Sequence, residues 1–127
     1  MKIHHTAIWV SNLEREKEFF LRYFDCTAGE KYVNQLNKFS SYFVTFKGGG
    51  RIEIMKRDDI TCEEMEESLG YSHIALDAGS REEVNNLTDK LVNDGVIVLN
   101  GPRITGDGYY ESVILDPENN RIEIMSE

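Results

Sequence analysis

Residues 51–55 read Arg51-Ile52-Glu53-Ile54-Met55, and the same five residues return as Arg121-Ile122-Glu123-Ile124-Met125. An identical pentapeptide recurring seventy positions on (51 to 121) in a chain of 127 residues makes internal duplication the first hypothesis to test. Each copy alternates isoleucine with a polar or larger residue, the period of a strand with one buried face. Working back from each copy, His5-Thr6-Ala7-Ile8-Trp9-Val10 is echoed by His73-Ile74-Ala75-Leu76-Asp77-Ala78, sixty-eight positions on (5 to 73). After each histidine segment comes a charged stretch with apolar residues at helical spacing. The first holds Leu13, Phe19, Phe20, Tyr23 and Phe24; the second holds Val84, Leu87, Leu91 and Val92.

Each half therefore reads strand, helix, then three strands. The pattern predicts strands near 2–10, 26–34, 40–47 and 50–56 with a helix over 12–24, then strands near 71–78, 96–104, 108–115 and 120–126 with a helix over 80–94. Asn12 and Ser80 suit the helix N-caps, and Gly95 suits the stop of the second helix. Gly48-Gly49-Gly50 and Asp116-Pro117-Glu118-Asn119-Asn120 supply the turns that lead into the repeated pentapeptides. The predicted fold class is α+β: two tandem βαβββ modules forming an open, half-barrel mixed sheet with helices on the outer face. A single domain over 1–127 is expected, with modules at about 1–57 and 71–127 joined by an acid-rich connector.

Composition bounds the function. The chain is 40% hydrophobic with two prolines, so it is neither disordered nor low in complexity. Twenty-three acids against fourteen bases leave a net charge of −9, which argues against nucleic acid or an anionic membrane as partner. No run of about 18 apolar residues occurs, so no membrane helix is expected. The N-terminal residues lack the charged and apolar regions of a signal peptide. Cys26 and Cys62 form neither a disulfide framework nor a Cys-x-x-Cys pair, so they read as small apolar residues in a reducing cytoplasm.

Strand parity brings chemistry together. His5, Ala7 and Trp9 alternate with Ile8 and Val10; His73 alternates with Ile74 and Leu76; Glu53 and Glu123 alternate with their isoleucines. The helices must cover the aliphatic faces, so the histidines and glutamates belong to the opposite, concave face, one His–Glu pair per half. A lone strand histidine is usually a hydrogen-bonded core residue, and a lone glutamate the solvated side of a strand. The recurrence of both in both halves favours a metal set instead: His5, Glu53, His73 and Glu123, two nitrogens and two oxygens. Such a set suits one divalent metal ion, whether Zn²⁺, Ni²⁺, Co²⁺, Mn²⁺ or Fe²⁺. His4 has the wrong parity to join it.

The ordered set His5, Glu53, His73, Glu123, with Leu115-Asp116-Pro117-Glu118-Asn119-Asn120 before the last strand, resembles the vicinal oxygen chelate superfamily. Its members pair two βαβββ modules around a metal, and the resemblance covers essentially the whole chain. Within that superfamily the set is similar to that of glyoxalase I (lactoylglutathione lyase). Fosfomycin-resistance enzymes and extradiol dioxygenases resemble a His, His, Glu set, methylmalonyl-CoA epimerases carry Gln at the second position, and bleomycin-binding members lack the ligands. The resemblance implies a lyase acting on a small-molecule substrate with a thiol adduct, the hemithioacetal of a 2-oxoaldehyde. The product is a 2-hydroxyacyl thioester, reached through an enediolate. It implies Glu123 as the catalytic base and Glu53 as its symmetry mate in the second proton transfer, and a homodimer. Two positions depart from the glutathione-using pattern. An Arg four residues after the first His and an Asn four residues after the first Glu are replaced by Trp9 and Arg57. Trp9 suits an apolar part of a substrate.

Two further places bear on the substrate. Arg57, beside Lys56, either meets an anionic group or is a solvated surface residue. In the glycine-rich segment 101–111, Arg103 and Tyr109 or Tyr110 offer donors for a carboxylate or phosphate, against the alternative of an ordinary hairpin turn. Tyr42, Phe43 and Phe46 read as core or subunit contact. Two other readings stand beside the lyase: a different metalloenzyme of the superfamily (an epimerase or a thiol-conjugating resistance enzyme), and a binding or sequestration protein without turnover.

Overall fold

The structure is a computed structural model and describes residues 3–61 and 69–127. Cys62 and most of the expected connector lie outside the described residues. The chain divides into two compact units, Met1–Glu63 and Glu64–Glu127.

The first unit runs β1 (Thr6–Trp9), α1 (Leu13–Tyr23), β2 (Cys26–Ala28), β3 (Tyr32–Asn34), β4 (Phe39–Phe46) and β5 (Arg51–Arg57). Its sheet has the order β1-β5-β4-β2, with β3 also on β4; β1 and β5 are parallel and the remaining pairs antiparallel. The second unit runs β6 (His73–Asp77), α2 (Arg81–Asn93), β7 (Val98–Ile104), β8 (Tyr110–Leu115) and β9 (Arg121–Ser126), in the order β6-β9-β8-β7 with β6 and β9 parallel. Both sheets are mixed and open, and the α+β architecture follows the predicted element order. No helix among the described residues is long and apolar enough to cross a membrane.

The capping residues act as expected. Asn12 Oδ1 accepts from the Arg15 N–H at 3.0 Å and Ser80 Oγ from the Glu83 N–H at 3.2 Å, each satisfying one orphan donor of a helix start. Gly95, with φ 84°, ends the second helix. Before β9, Asp116 Oδ1 accepts from the backbone of Glu118 and of Asn120, so the predicted turn is held by a side chain.

Each helix covers one face of its own sheet. Phe20, Val44, Ile52 and Ile54 form the first core, and Val84, Leu91, Ile114, Ile122 and Ile124 the second. Two expectations need correction. The strand over 26–34 is two strands, because the five residues from Ala28 to Tyr32 run beside the four from Ser41 to Val44, and the one extra residue breaks the ladder before Tyr32. Val92 is exposed, and Thr88 is buried beside Val84 and Leu91 on the core face of the helix. Thr88 enters the core because its hydroxyl donates to the Val84 carbonyl at 2.6 Å and meets Ser112 Oγ at 2.7 Å.

Candidate metal centre

In both units the residues alternating with the buried isoleucines lie on the face away from the helix. β1 and β5 run parallel with Ala7 opposite Glu53, and β6 and β9 repeat this with Ala75 opposite Glu123. An alanine beside each glutamate leaves room above the sheet, and the histidine two residues earlier leans into it. His5 Nε2 stands 3.6 Å from Glu53 Oε2, and His73 Nε2 stands 3.2 Å from Glu123 Oε2. All four side chains are partly exposed, between 17% and 39%. The two repeats of the sequence thus build the same half-site, an imidazole nitrogen turned toward a carboxylate oxygen on an accessible sheet face.

The donor chemistry fits a divalent transition metal. An imidazole nitrogen and a carboxylate oxygen are the ligands that Zn²⁺, Ni²⁺, Co²⁺, Mn²⁺ and Fe²⁺ share. Among the described residues no three His, Cys, Asp or Glu side chains gather into one group, so each unit by itself offers two ligands.

The surroundings of the two pairs differ. In the first unit Phe43, opposite Glu53 across the β4–β5 ladder, meets the His5 ring edge-to-face at 5.2 Å, and the Arg51 guanidinium lies 4.1 Å from the Phe43 centroid. Phe43 therefore packs against a candidate ligand, whereas the run Tyr42, Phe43 and Phe46 read as core or subunit contact. Tyr42, one residue away and so on the other face, hydrogen-bonds Glu14 of α1. His4 is exposed; its Nδ1 is 2.7 Å from His5 Nδ1, and its Nε2 is 3.4 Å from Arg51. A neighbour on the far imidazole nitrogen is what usually orients a metal-binding histidine.

In the second unit the residue that sequence reasoning missed is Glu111. It is buried and lies directly opposite Arg103 across the β7–β8 ladder, with Arg103 Nη2 at 3.3 Å from its Oε1. Burial pushes its carboxyl above the ordinary range, the charge of Glu123 pushes the same way, and Arg103 pulls it back. Arg103 is thus engaged by an acid. Its neighbour Gly101 explains the approach of the strands, because a Cβ there would meet the Glu111 carbonyl oxygen at 2.4 Å. Only the ladder register, shifted twice between Val98 and Arg103, brings Glu111 opposite Arg103. The one usable sequence signal was an acid at a strand position of the site face.

The remaining substrate candidates separate. Tyr110 donates its hydroxyl to Asn85 of α2 at 2.7 Å and so faces the helix, whereas Tyr109 is exposed. Arg57 hydrogen-bonds Asp59 through Nε, which raises its own pKa and lowers that of Asp59, and its guanidinium lies 5.3 Å from the Trp9 ring centroid.

Three solved structures share this fold. A glyoxylase/bleomycin resistance protein/dioxygenase domain from Frankia sp. EAN1pec matches with a TM-score of 0.85 at 16% identity, over 99% of this chain and 97% of that one. The trypanothione-dependent glyoxalase I of Leishmania major matches with a TM-score of 0.79 at 20% identity, over 100% and 87% of the two chains. The fosfomycin resistance protein FosX of Listeria monocytogenes, in complex with Mn(II) and sulfate, matches with a TM-score of 0.74 at 19% identity, over 99% and 92%. At these identities the likeness is one of fold. The family itself follows from the sequence, whose residues 2–124 match the family model, so the chain belongs to the Glyoxalase/Bleomycin resistance protein/Dioxygenase superfamily.

Proposed function

We propose that this chain is a metal-dependent lyase of the glyoxalase I type, isomerising a 2-oxoaldehyde–thiol hemithioacetal to a 2-hydroxyacyl thioester. The observation that carries the reading is the duplicated His–Glu pair, at 3.6 Å in one unit and 3.2 Å in the other. A solvated strand face needs no such pair twice. In this reading His5, Glu53, His73 and Glu123 would hold one divalent ion, Ni or Zn, which would supply Lewis-acid stabilisation of negative charge on the substrate oxygens. The Glu123 carboxylate takes the proton from the carbon that carries sulfur and returns it to the neighbouring carbon, with Glu53 sharing the second transfer. Glu111, beside this site, fixes Arg103 through its carboxylate. Arg103, Tyr109 and Arg57 contact the substrate. The active species is a homodimer.

Elemental analysis of metal-reconstituted protein tests the centre. One ion bound per chain is expected, with affinity lowered at least about tenfold in His5→Ala and in His73→Ala, since each removes one of four ligands. Product analysis with methylglyoxal and a panel of thiols tests the reaction. Glu123→Gln is expected to lose turnover by about two to four orders of magnitude, the scale of a missing general base. Turnover within a few-fold of the parent protein would remove Glu123 from that role. A second reading, a different metalloenzyme of the same superfamily, draws on Trp9 and Arg57 in place of the residues expected to hold a glutathione-like thiol. It is chosen if metal binds and no hemithioacetal is converted.

A further inference from the structure

We propose that Trp9, Phe39 and Arg57 form a specificity subsite for a neutral, planar apolar group at the far end of the substrate's thiol arm. This deepens the proposed lyase function and rests on it for the chelated end of the substrate. Trp9 shares its strand face with His5, and Phe39 shares its own with Phe43, the residue against His5. The Trp9 and Phe39 rings meet edge-to-face at 6.1 Å across the intervening β5, and Tyr32 adds a third ring 6.0 Å from Phe39. Trp9 is 40% exposed and Tyr32 55% exposed, so large aromatic surface is left to solvent on the sheet face that carries His5 and Glu53. Isolated exposed rings need no explanation, but a contiguous cluster beside a candidate centre does.

Charge decides what the cluster prefers. Arg57 covers the Trp9 ring but is already paired with Asp59, so an incoming carboxylate meets a compensated cation and a nearby acid. A planar neutral group meets rings and a guanidinium plane instead, which favours stacking. Length decides where the group sits. Trp9 follows His5 by four positions, about 13 Å along a strand, so the group stands several bonds from the chelated oxygens. It belongs to the thiol arm and not to a substituent directly on the aldehyde.

Trp9 is the sole tryptophan, so its fluorescence reports the subsite without any turnover. The probes are 4-phenylbutane-1-thiol, 6-mercaptohexanoate of similar reach, and phenylmethanethiol, whose ring is too close to its sulfur; each is titrated into the full chain with and without methylglyoxal. The expected result is quenching by 4-phenylbutane-1-thiol, with binding about tenfold tighter than that of either other thiol, a ratio worth one well-placed aromatic contact. By calorimetry the ratio falls to about one in Trp9→Ala and survives in Trp9→Phe, which keeps a ring. Phe39→Ala retains the fluorophore and is expected to weaken the same preference, so the test stands if Trp9→Ala does not fold. Equal or tighter binding of 6-mercaptohexanoate, or a ratio unchanged in both alanine variants, overturns the subsite. Tightest binding of phenylmethanethiol overturns its placement on the thiol arm. Ring preference without conversion of any hemithioacetal overturns the lyase and keeps the subsite; conversion without ring preference does the reverse.

Discussion

Two residue positions show how closely backbone and buried polar groups are matched in the second unit. Gly101 has φ 85°, and an added Cβ would stand 2.4 Å from the Glu111 carbonyl oxygen and 2.9 Å from the Ser112 Cα, both backbone atoms that cannot swing aside. Gly101→Ala is expected to lower stability by at least about 1–3 kcal/mol, the cost of a left-handed alanine alone, read from the urea midpoint. An unchanged midpoint would refute the close approach. In the second core, the Thr88 hydroxyl has one hydrogen and gives it to the Val84 carbonyl, so Ser112 is the donor to Thr88. Thr88→Val keeps the shape but strands the Ser112 hydroxyl, at a cost of about 1–3 kcal/mol. Adding Ser112→Ala to that variant is expected to recover part of the loss, a non-additivity that a double-mutant cycle in urea measures.

Elements are tied together by charge as well as by apolar burial. Glu14 on α1 accepts from Lys17 one turn on, from Lys31 between β2 and β3, and from Tyr42 on β4. Lys17 and then Lys31 pull its carboxyl down to about 2, Tyr42 adding to them. A carboxyl depressed in the folded state stabilises the protein above its ordinary pKa of 4.5, and that contribution is lost as pH falls from there toward 2. Melting temperatures of the parent protein and Glu14→Gln are thus expected to differ at neutral pH and converge in acid. Glu14 is half exposed, so the difference shrinks with added salt. A gap that persists at the acid end would mean that Glu14 acts through packing. The same region shows why the break between β2 and β3 escaped prediction. Residues 26–34 carry no proline or turn pair, and only pairing with β4 reveals that one residue is extra.

At the scale of the whole molecule, both units have open sheets whose outer strands carry exposed apolar side chains, among them Val33 on β3 and Leu99 and Ile104 on β7. Unpaired strand edges favour association, and a closed twofold pair is the commonest way to cover them. Light scattering is expected to find a species of twice the 14.6 kDa chain mass; a mass of one chain at micromolar concentration would refute the dimer.

The sequence by itself determined the duplication, the element order, the helix caps, the turn into β9 and the face on which each ligand candidate stands. The duplication shows in the repeated residues themselves, and the rest depend on neighbours within a few residues, through the period of two along a strand and the orphan N–H groups of a helix start. The tertiary structure alone decided which side chains meet. His5 rests on Phe43, Arg103 is engaged by Glu111, Thr88 bonds Ser112, and Trp9 reaches Phe39 across β5. Each of these contacts depends on strand register or on helix-to-sheet packing, set by bulges and by the fit of a whole core, so no local pattern encodes it. That is why the four candidate ligands were legible as residue types, while the charge compensation around Arg103 was not.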